Sequence, residues 1–215
     1  MRSSIVILAS ILSISPALAD KTCKQQVDEA FEKLREHKAF RLETEIVNEQ
    51  GKLKMQADYV LPDRMHQKVE LSTGGGPMEM IVIGNKAWSN QGQGWAALPQ
   101  NFADAVAGQI KETVAKAPTT MTEFKCLGDK EFEGKTYAVY QGLLATPIKP
   151  ESDHKGPHIS NLDIPKQQNV YVDKTSGLPV RNIVNPVTAP DQRLFDGKFS
   201  LVEGLKIEEP EIKQN

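Results

Sequence analysis

The residues best suited to chemistry fall in two stretches of this chain. The first, ESDHKGPH, holds Asp153, His154 and His158. A His-x-x-x-His pair binds zinc when both rings project from one face of a helix. Here Gly156 and Pro157 stand between the histidines and oppose a regular helix, and no local glutamate follows to act as a general base. The stretch therefore reads as an exposed loop rather than a metal centre. His37 and His66 lack a partner close in sequence and read as surface residues. No Gly-x-Ser-x-Gly elbow occurs, and TGGGP lacks the Lys-Ser/Thr of a phosphate-binding loop. The expectation is a protein with no catalysis, no metal and no cofactor.

The second stretch is IGNKAWSNQGQGWAALP, where Trp88 and Trp95 flank Gly92 and Gly94. Aromatic residues make up only 6% of the chain, so both tryptophans on one short stretch call for an explanation. They form a sugar platform, the wall of an apolar pocket, or ordinary core. Gly92 and Gly94 read as turn residues, and Leu98-Pro99 leads into a helix, which places both rings beneath that helix rather than out in solvent. With Met55, Tyr59, Met78 and Met80 they make the richest apolar set in the sequence, and methionine suits surfaces that hold variable apolar groups. Phe31, Leu34, Phe102, Val106 and Ile110 are the helical residues expected to face them. Together Phe31, Leu34, Met55, Tyr59, Met80, Trp88, Trp95, Phe102, Val106 and Ile110 are the candidate lining of an apolar cavity. The same residues also suit a filled sheet core.

Elements must position these side chains, and the chain opens with one that it sheds. MRSSIVILASILSISPALAD has a basic Arg2, a short apolar run, Pro16, and small residues before Asp20, which is the pattern of a cleavable signal peptide over residues 1–19. The run is shorter than the roughly 20 apolar residues that span a bilayer. No cysteine follows the small-residue motif directly, so the expected product is a periplasmic or secreted protein that neither spans the membrane nor carries a lipid anchor. In that compartment two cysteines, Cys23 and Cys126, predict one disulfide. The formal net charge is −2 with basic residues dispersed, which gives no electrostatic footprint for nucleic acid.

The remaining 20–215 read as a single domain. Thr22 and Gln25 fit a capping box, and Val27, Ala30, Phe31 and Leu34 recur on one helical face. RLETEIV alternates Leu42, Thr44 and Ile46 with Arg41, Glu43 and Glu45, and LKMQADYVL places Leu53, Met55, Ala57 and Tyr59 on one side. Short strands then follow through RMHQKVEL, MEMIVIG, KAWSNQ and WAALP, separated by Pro62-Asp63, the glycines of STGGGP and Gly84-Asn85. That rhythm predicts an antiparallel meander. A second helix is expected over 102–115, capped by Asn101, striped by Phe102, Val106, Ile110 and Val114, and ended by Pro118. Strands resume near 121–128 and 135–145, pause for a polar, proline-rich loop over 146–168, and return in NVYVDKTSGLPVRNIVN and RLFDGKFSLVEGLKIEEPEI. The expected fold is mainly β (α+β): one strongly curved antiparallel half-barrel sheet whose concave face is covered by two helices.

Several of these segments resemble the periplasmic lipoprotein-carrier superfamily. ADYVLPDRMHQKVE is similar to its strand, Pro-x-Arg, strand passage, and MIVIGNKAWSNQGQGW to its Trp-bearing hairpin. VYVDKTSGLPVRNIV looks like its Gly-Leu-Pro strand passage, and LKIEEPEI like its terminal strand. The resemblance implies a half-barrel with a helical lid over a cavity for acyl chains, and it implies no catalytic residues. Two functions follow. One is a carrier for a lipid or lipoprotein acyl chain. The other is an envelope protein-interaction or stress-sensing module with a filled core, using the 146–168 loop to contact other envelope proteins.

Overall fold

The computed structural model describes residues 21–48, 51–74, 76–115, 123–144 and 164–212. The expected signal peptide lies outside them, as do residues 146–163 of the expected loop, with Asp153, His154 and His158, and Pro118.

Helix α1 runs Cys23–Glu36 behind the expected capping box. The Gln25 amide donates to Thr22 Oγ1 at 3.2 Å, and the Thr22 amide donates to Gln25 Oε1 at 2.8 Å, so two N-terminal donors are satisfied reciprocally. Val27, Ala30 and Leu34 are buried along one stripe and Phe31 is half-buried beside them. Ten-residue strands β1 (Ala39–Asn48) and β2 (Gly51–Val60) follow, then β3 (Arg64–Leu71), β4 (Met78–Ile83), β5 (Lys86–Asn90) and β6 (Trp95–Ala97). Helix α2 is Gln100–Thr113. After it come β7 (Phe124–Phe132), β8 (Lys135–Leu144), β9 (Lys166–Asp173), β10 (Pro179–Pro186) and β11 (Phe195–Leu201).

All 11 described strands lie in one antiparallel sheet with the order β6-β5-β4-β3-β2-β1-β11-β10-β9-β8-β7. Within each half every strand pairs with its neighbour in sequence, as the meander requires. The two halves meet where β1 pairs with β11, Leu42 opposite Phe199 and Thr44 opposite Gly197. Among the described residues β6 and β7 are the free edges, so the sheet is an open, curved half-barrel rather than a closed one. Both helices pack on one face: α2 against β4 and β5, α1 against β7, β9 and β10. The disulfide Cys23–Cys126, Cα–Cα 5.4 Å, ties α1 to β7 as expected from the cysteine count.

Four local expectations are corrected. Helix α2 is capped by Pro99, with no side-chain cap, and Asn101 sits inside the first turn. Its buried stripe is Ala103, Ala107 and Ile110, with Val106 and Val114 half-buried, whereas Phe102 is 48% exposed. Small alanines let the helix axis approach the sheet, and this turns Phe102 outward. Lys166–Gln168, expected in a loop, already belong to β9, because Gln168 pairs with Val184 and Gly142. The segment LKIEEPEI is not a strand: residues after Leu201 run as an irregular strap.

Candidate functional site

Strand register sorts the sheet side chains into two faces. The inner face, under the helices, carries Phe40, Leu42, Thr44 and Ile46 from β1 and, opposite them, Tyr59, Ala57, Met55 and Leu53 from β2. It continues through Met65 to Val82 and Ala87, and through Gln67 to Met80. Around α2 and the end of α1 these residues make one cluster: Leu34, Phe40, Ala57, Tyr59, Met65, Val82, Ala87, Ala103, Ala107 and Ile110 are buried, with Phe31, Met80 and Val106 packed against them. Burial pushes the Tyr59 phenol up to about 12, so it stays neutral. A second cluster joins Val27 and Ala30 of α1 to Phe124, Tyr140, Val170 and Val172. There Tyr140 donates to Gln26 Oε1 at 2.8 Å.

Part of the inner face is only half-buried. Leu53 and Leu71 are directly opposite each other, as are Met55 and Val69, and Val69 and Met78. All five, with Met80, are only half-buried although they lie on the helix side. Of the expected lining, Phe31, Leu34, Met55, Tyr59, Met80, Val106 and Ile110 thus come together on or over this face.

The tryptophans do not. Trp88 pairs with Ile81, and Ile81 with His66, which places Trp88 on the outer face, and Trp95 shares that face through its pairing with Asn90. Trp88 is 5% exposed there, against Ile81 and Ile207, with Trp95, Val60 and Ile83 at the margin. The strap after β11 supplies this cover: Arg64 Nη1 donates to the Ile207 carbonyl at 2.7 Å, and Lys86 pairs with Glu209 at 2.8 Å. Neither tryptophan lies beneath α2, and the buried Trp88 ring cannot serve as an exposed sugar platform.

Elsewhere the outer face is charged. Arg41 grips Asp58 through two hydrogen bonds of 2.6 and 2.9 Å. Asp196 accepts from Arg181 and, at 2.7 Å, from Arg193. Burial pushes the Asp196 carboxyl up, but these arginines outweigh it and hold the group below the usual carboxylate range. Beside this network a cleft of about 630 Å³ is lined by alternating acidic and basic residues, among them Glu43, Lys54, Lys68, Glu70 and Lys198. Among the described residues no group of three His, Cys, Asp or Glu side chains is placed to hold a metal ion. No described helix is long and apolar enough to cross a membrane.

Sequence reasoning missed a polar row on the inner face. Thr44 Oγ1, Gln168 Oε1 and Asn182 Oδ1 are buried without a hydrogen-bond partner among the described residues. Thr44 was legible as an inward position of β1, but Gln168 was hidden by its assignment to a loop.

No protein-family model matches the sequence, and no curated protein matches it. Solved structures do. Lipoprotein LppX of Mycobacterium tuberculosis superposes with a TM-score of 0.55 at 8% identity, covering 86% of this chain and 98% of that one. LprF of Mycobacterium bovis superposes with a TM-score of 0.50 at 10% identity, covering 87% and 96%. At such identities the likeness is one of fold, and it extends over nearly the whole of both partners. This chain therefore has the fold of LppX and LprF.

Proposed function

We propose that the protein is an exported, non-catalytic carrier that holds a lipid or lipoprotein acyl chain against its inner face. Phe31, Leu34, Met55, Tyr59, Met80, Val106 and Ile110 would form the apolar contact. The observation that carries this reading is the half-buried row Leu53, Leu71, Met55, Val69, Met78 and Met80. An apolar strip left half-buried on the side that bears the helices has no structural use in a filled core. Three of its members are methionines, whose flexible thioethers adapt to ligands of varied shape. Binding would rest on apolar area, at about 25 cal/mol per Å² removed from water, with few directional contacts. The lipoprotein-carrier-like fold supports the same reading.

Native mass spectrometry of the full chain purified from a periplasmic extract tests it. The expected result is a lipid adduct that is lost on denaturation, and that Met55→Asp abolishes while far-UV circular dichroism stays the same. A chain that emerges without lipid and takes up no fluorescent fatty acid refutes it. That result would leave the interaction module with a filled core.

A further inference from the structure

We infer that Thr44, Asn182 and Gln168 form a polar station on the inner face that receives a hydrogen-bond-donating group, a hydroxyl or an amide N–H, borne on the acyl ligand. The inference rests on the carrier reading and narrows the ligands it admits. Thr44 is 5% exposed and Gln168 7%, and neither side-chain oxygen, nor that of Asn182, has a partner among the described residues. Buried polar atoms in folded proteins are almost always paired, so three on one face call for a common cause.

Their placement supplies it. Gly197 of β11 pairs with Thr44 on one side and Asn182 on the other. The strand spacing therefore sets Thr44 and Asn182 about 10 Å apart across a position without a side chain. Asn182 pairs with Val170, and Gln168 lies two residues before Val170 in β9. That makes Gln168 and Asn182 diagonal neighbours, about 7–8 Å apart. The inner-face positions around them, Leu42, Ile46, Val170 and Val184, are apolar. Two of the three free atoms are amide carbonyl oxygens, which only accept, while the Thr44 hydroxyl can accept or donate. The complement of the two carbonyl oxygens is a donor; an ester or ketone oxygen set against them would meet lone pairs, with the Thr44 hydroxyl alone of the three able to donate to it.

Displacement of a fluorescent fatty acid from the full chain tests the station with four probes: stearic acid, hydroxystearic acids with the hydroxyl near the middle or near the tail, and a mid-chain ketostearic acid. At least one hydroxy acid should bind about tenfold more tightly than stearic acid, the worth of roughly one net hydrogen bond to a buried partner, and the keto acid should gain less than that hydroxy acid. The near-isosteric Thr44→Val and the separate Asn182→Leu should erase the preference and leave stearic acid binding intact. Equal affinity for all four probes overturns the station while the carrier reading stands, and so does a gain for the keto acid that equals or exceeds the hydroxy acids'. If no probe binds, the carrier reading itself fails and the station falls with it.

Discussion

Replacing Ile207 by alanine tests the largest departure from the sequence-based picture, the outer-face burial of Trp88. Ile207 is 4% exposed and packs on Trp88 and Ile81. Truncating a buried isoleucine to alanine costs about 2–5 kcal/mol, and the cost depends on how far the site can collapse. Here the site lies under an irregular strap that can settle, so the lower end applies, about 2 kcal/mol. With an m-value of about 2 kcal/mol per molar urea, the unfolding midpoint should fall by about 1 M. The hydrogen bond from Arg64 to the Ile207 carbonyl is a backbone contact and survives the substitution, so the strap should remain near its place while water reaches the indole. Equilibrium urea unfolding, followed by tryptophan emission and by far-UV circular dichroism, separates the two effects. The folded variant should emit further to the red than the parent with an unchanged dichroism spectrum. An unchanged midpoint together with unchanged emission would refute the strap's role. A second readout follows from the same geometry: because both tryptophans lie on the outer face, a fatty acid bound on the inner face should leave their emission nearly constant.

The disulfide closes a span of 103 residues, for which chain entropy gives roughly 4–5 kcal/mol, with 2–5 kcal/mol usual for native bridges. Cys126→Ser, or reduction of the parent, should therefore lower stability by about 3–4 kcal/mol in urea unfolding, and a change below 1 kcal/mol would show that α1 is held by packing alone. Asp196 should make stability depend on acid pH. Its folded pKa lies below its unfolded value of about 4, so the carboxylate contributes stability above that pH and loses it as pH falls through the folded pKa. Asp196→Asn should cost about 2 kcal/mol at neutral pH, because Arg181 and Arg193 lose the negative charge and one of the two acceptor oxygens they share, and its stability should decline less steeply than the parent's below pH 4; parallel acid profiles would count against it.

The sequence made some elements plain because one physical signal dominated each. In β1 the inward positions are Leu42, Thr44 and Ile46 and the outward ones Arg41, Glu43 and Glu45, so alternation alone sets the faces. Thr22 and Gln25 announced α1 in the same unambiguous way. The β4–β5 hairpin offered no such contrast. Met80, Val82 and Ala87 are apolar on its inner face, and Ile81, Ile83 and Trp88 are apolar on its outer face, so no polar side marks where solvent lies. What decides the matter is Ile207, which lies 143 residues beyond Arg64, the residue that anchors its carbonyl. Nothing in KIEEPEI marks one isoleucine among charges as a cover for a distant tryptophan. Similarly KQQN looked like loop because its residues are polar, yet Gln168 faces inward in β9; a polar residue turned toward the interior reads from sequence like one turned toward water.

The strand order makes one pairing decisive for the site. Every other strand pair joins sequence neighbours, but β1 and β11 come from opposite ends of the chain, so their pairing carries the largest loop-closure cost. Helix α1 offsets that cost from the far side. It precedes β1 yet packs on β7, β9 and β10, burying Val27 and Ala30 against Phe124, Tyr140 and Val170, and Cys23 fixes it to Cys126. The N-terminal segment therefore grips both halves of the sheet, with β1 in the centre and α1 on the distal strands. Thr44, Gly197 and Asn182 cross this same junction. Gly197 is required there, since a Cβ would lie 2.7 Å from the Phe195 ring and 3.2 Å from Leu42, inside normal contact distance for both. A side chain at 197 would push that ring or the strand outward and part Thr44 from Asn182. The register that unites the two halves is thus also the register that sets the spacing of the polar row, and loosening α1 should disturb both together.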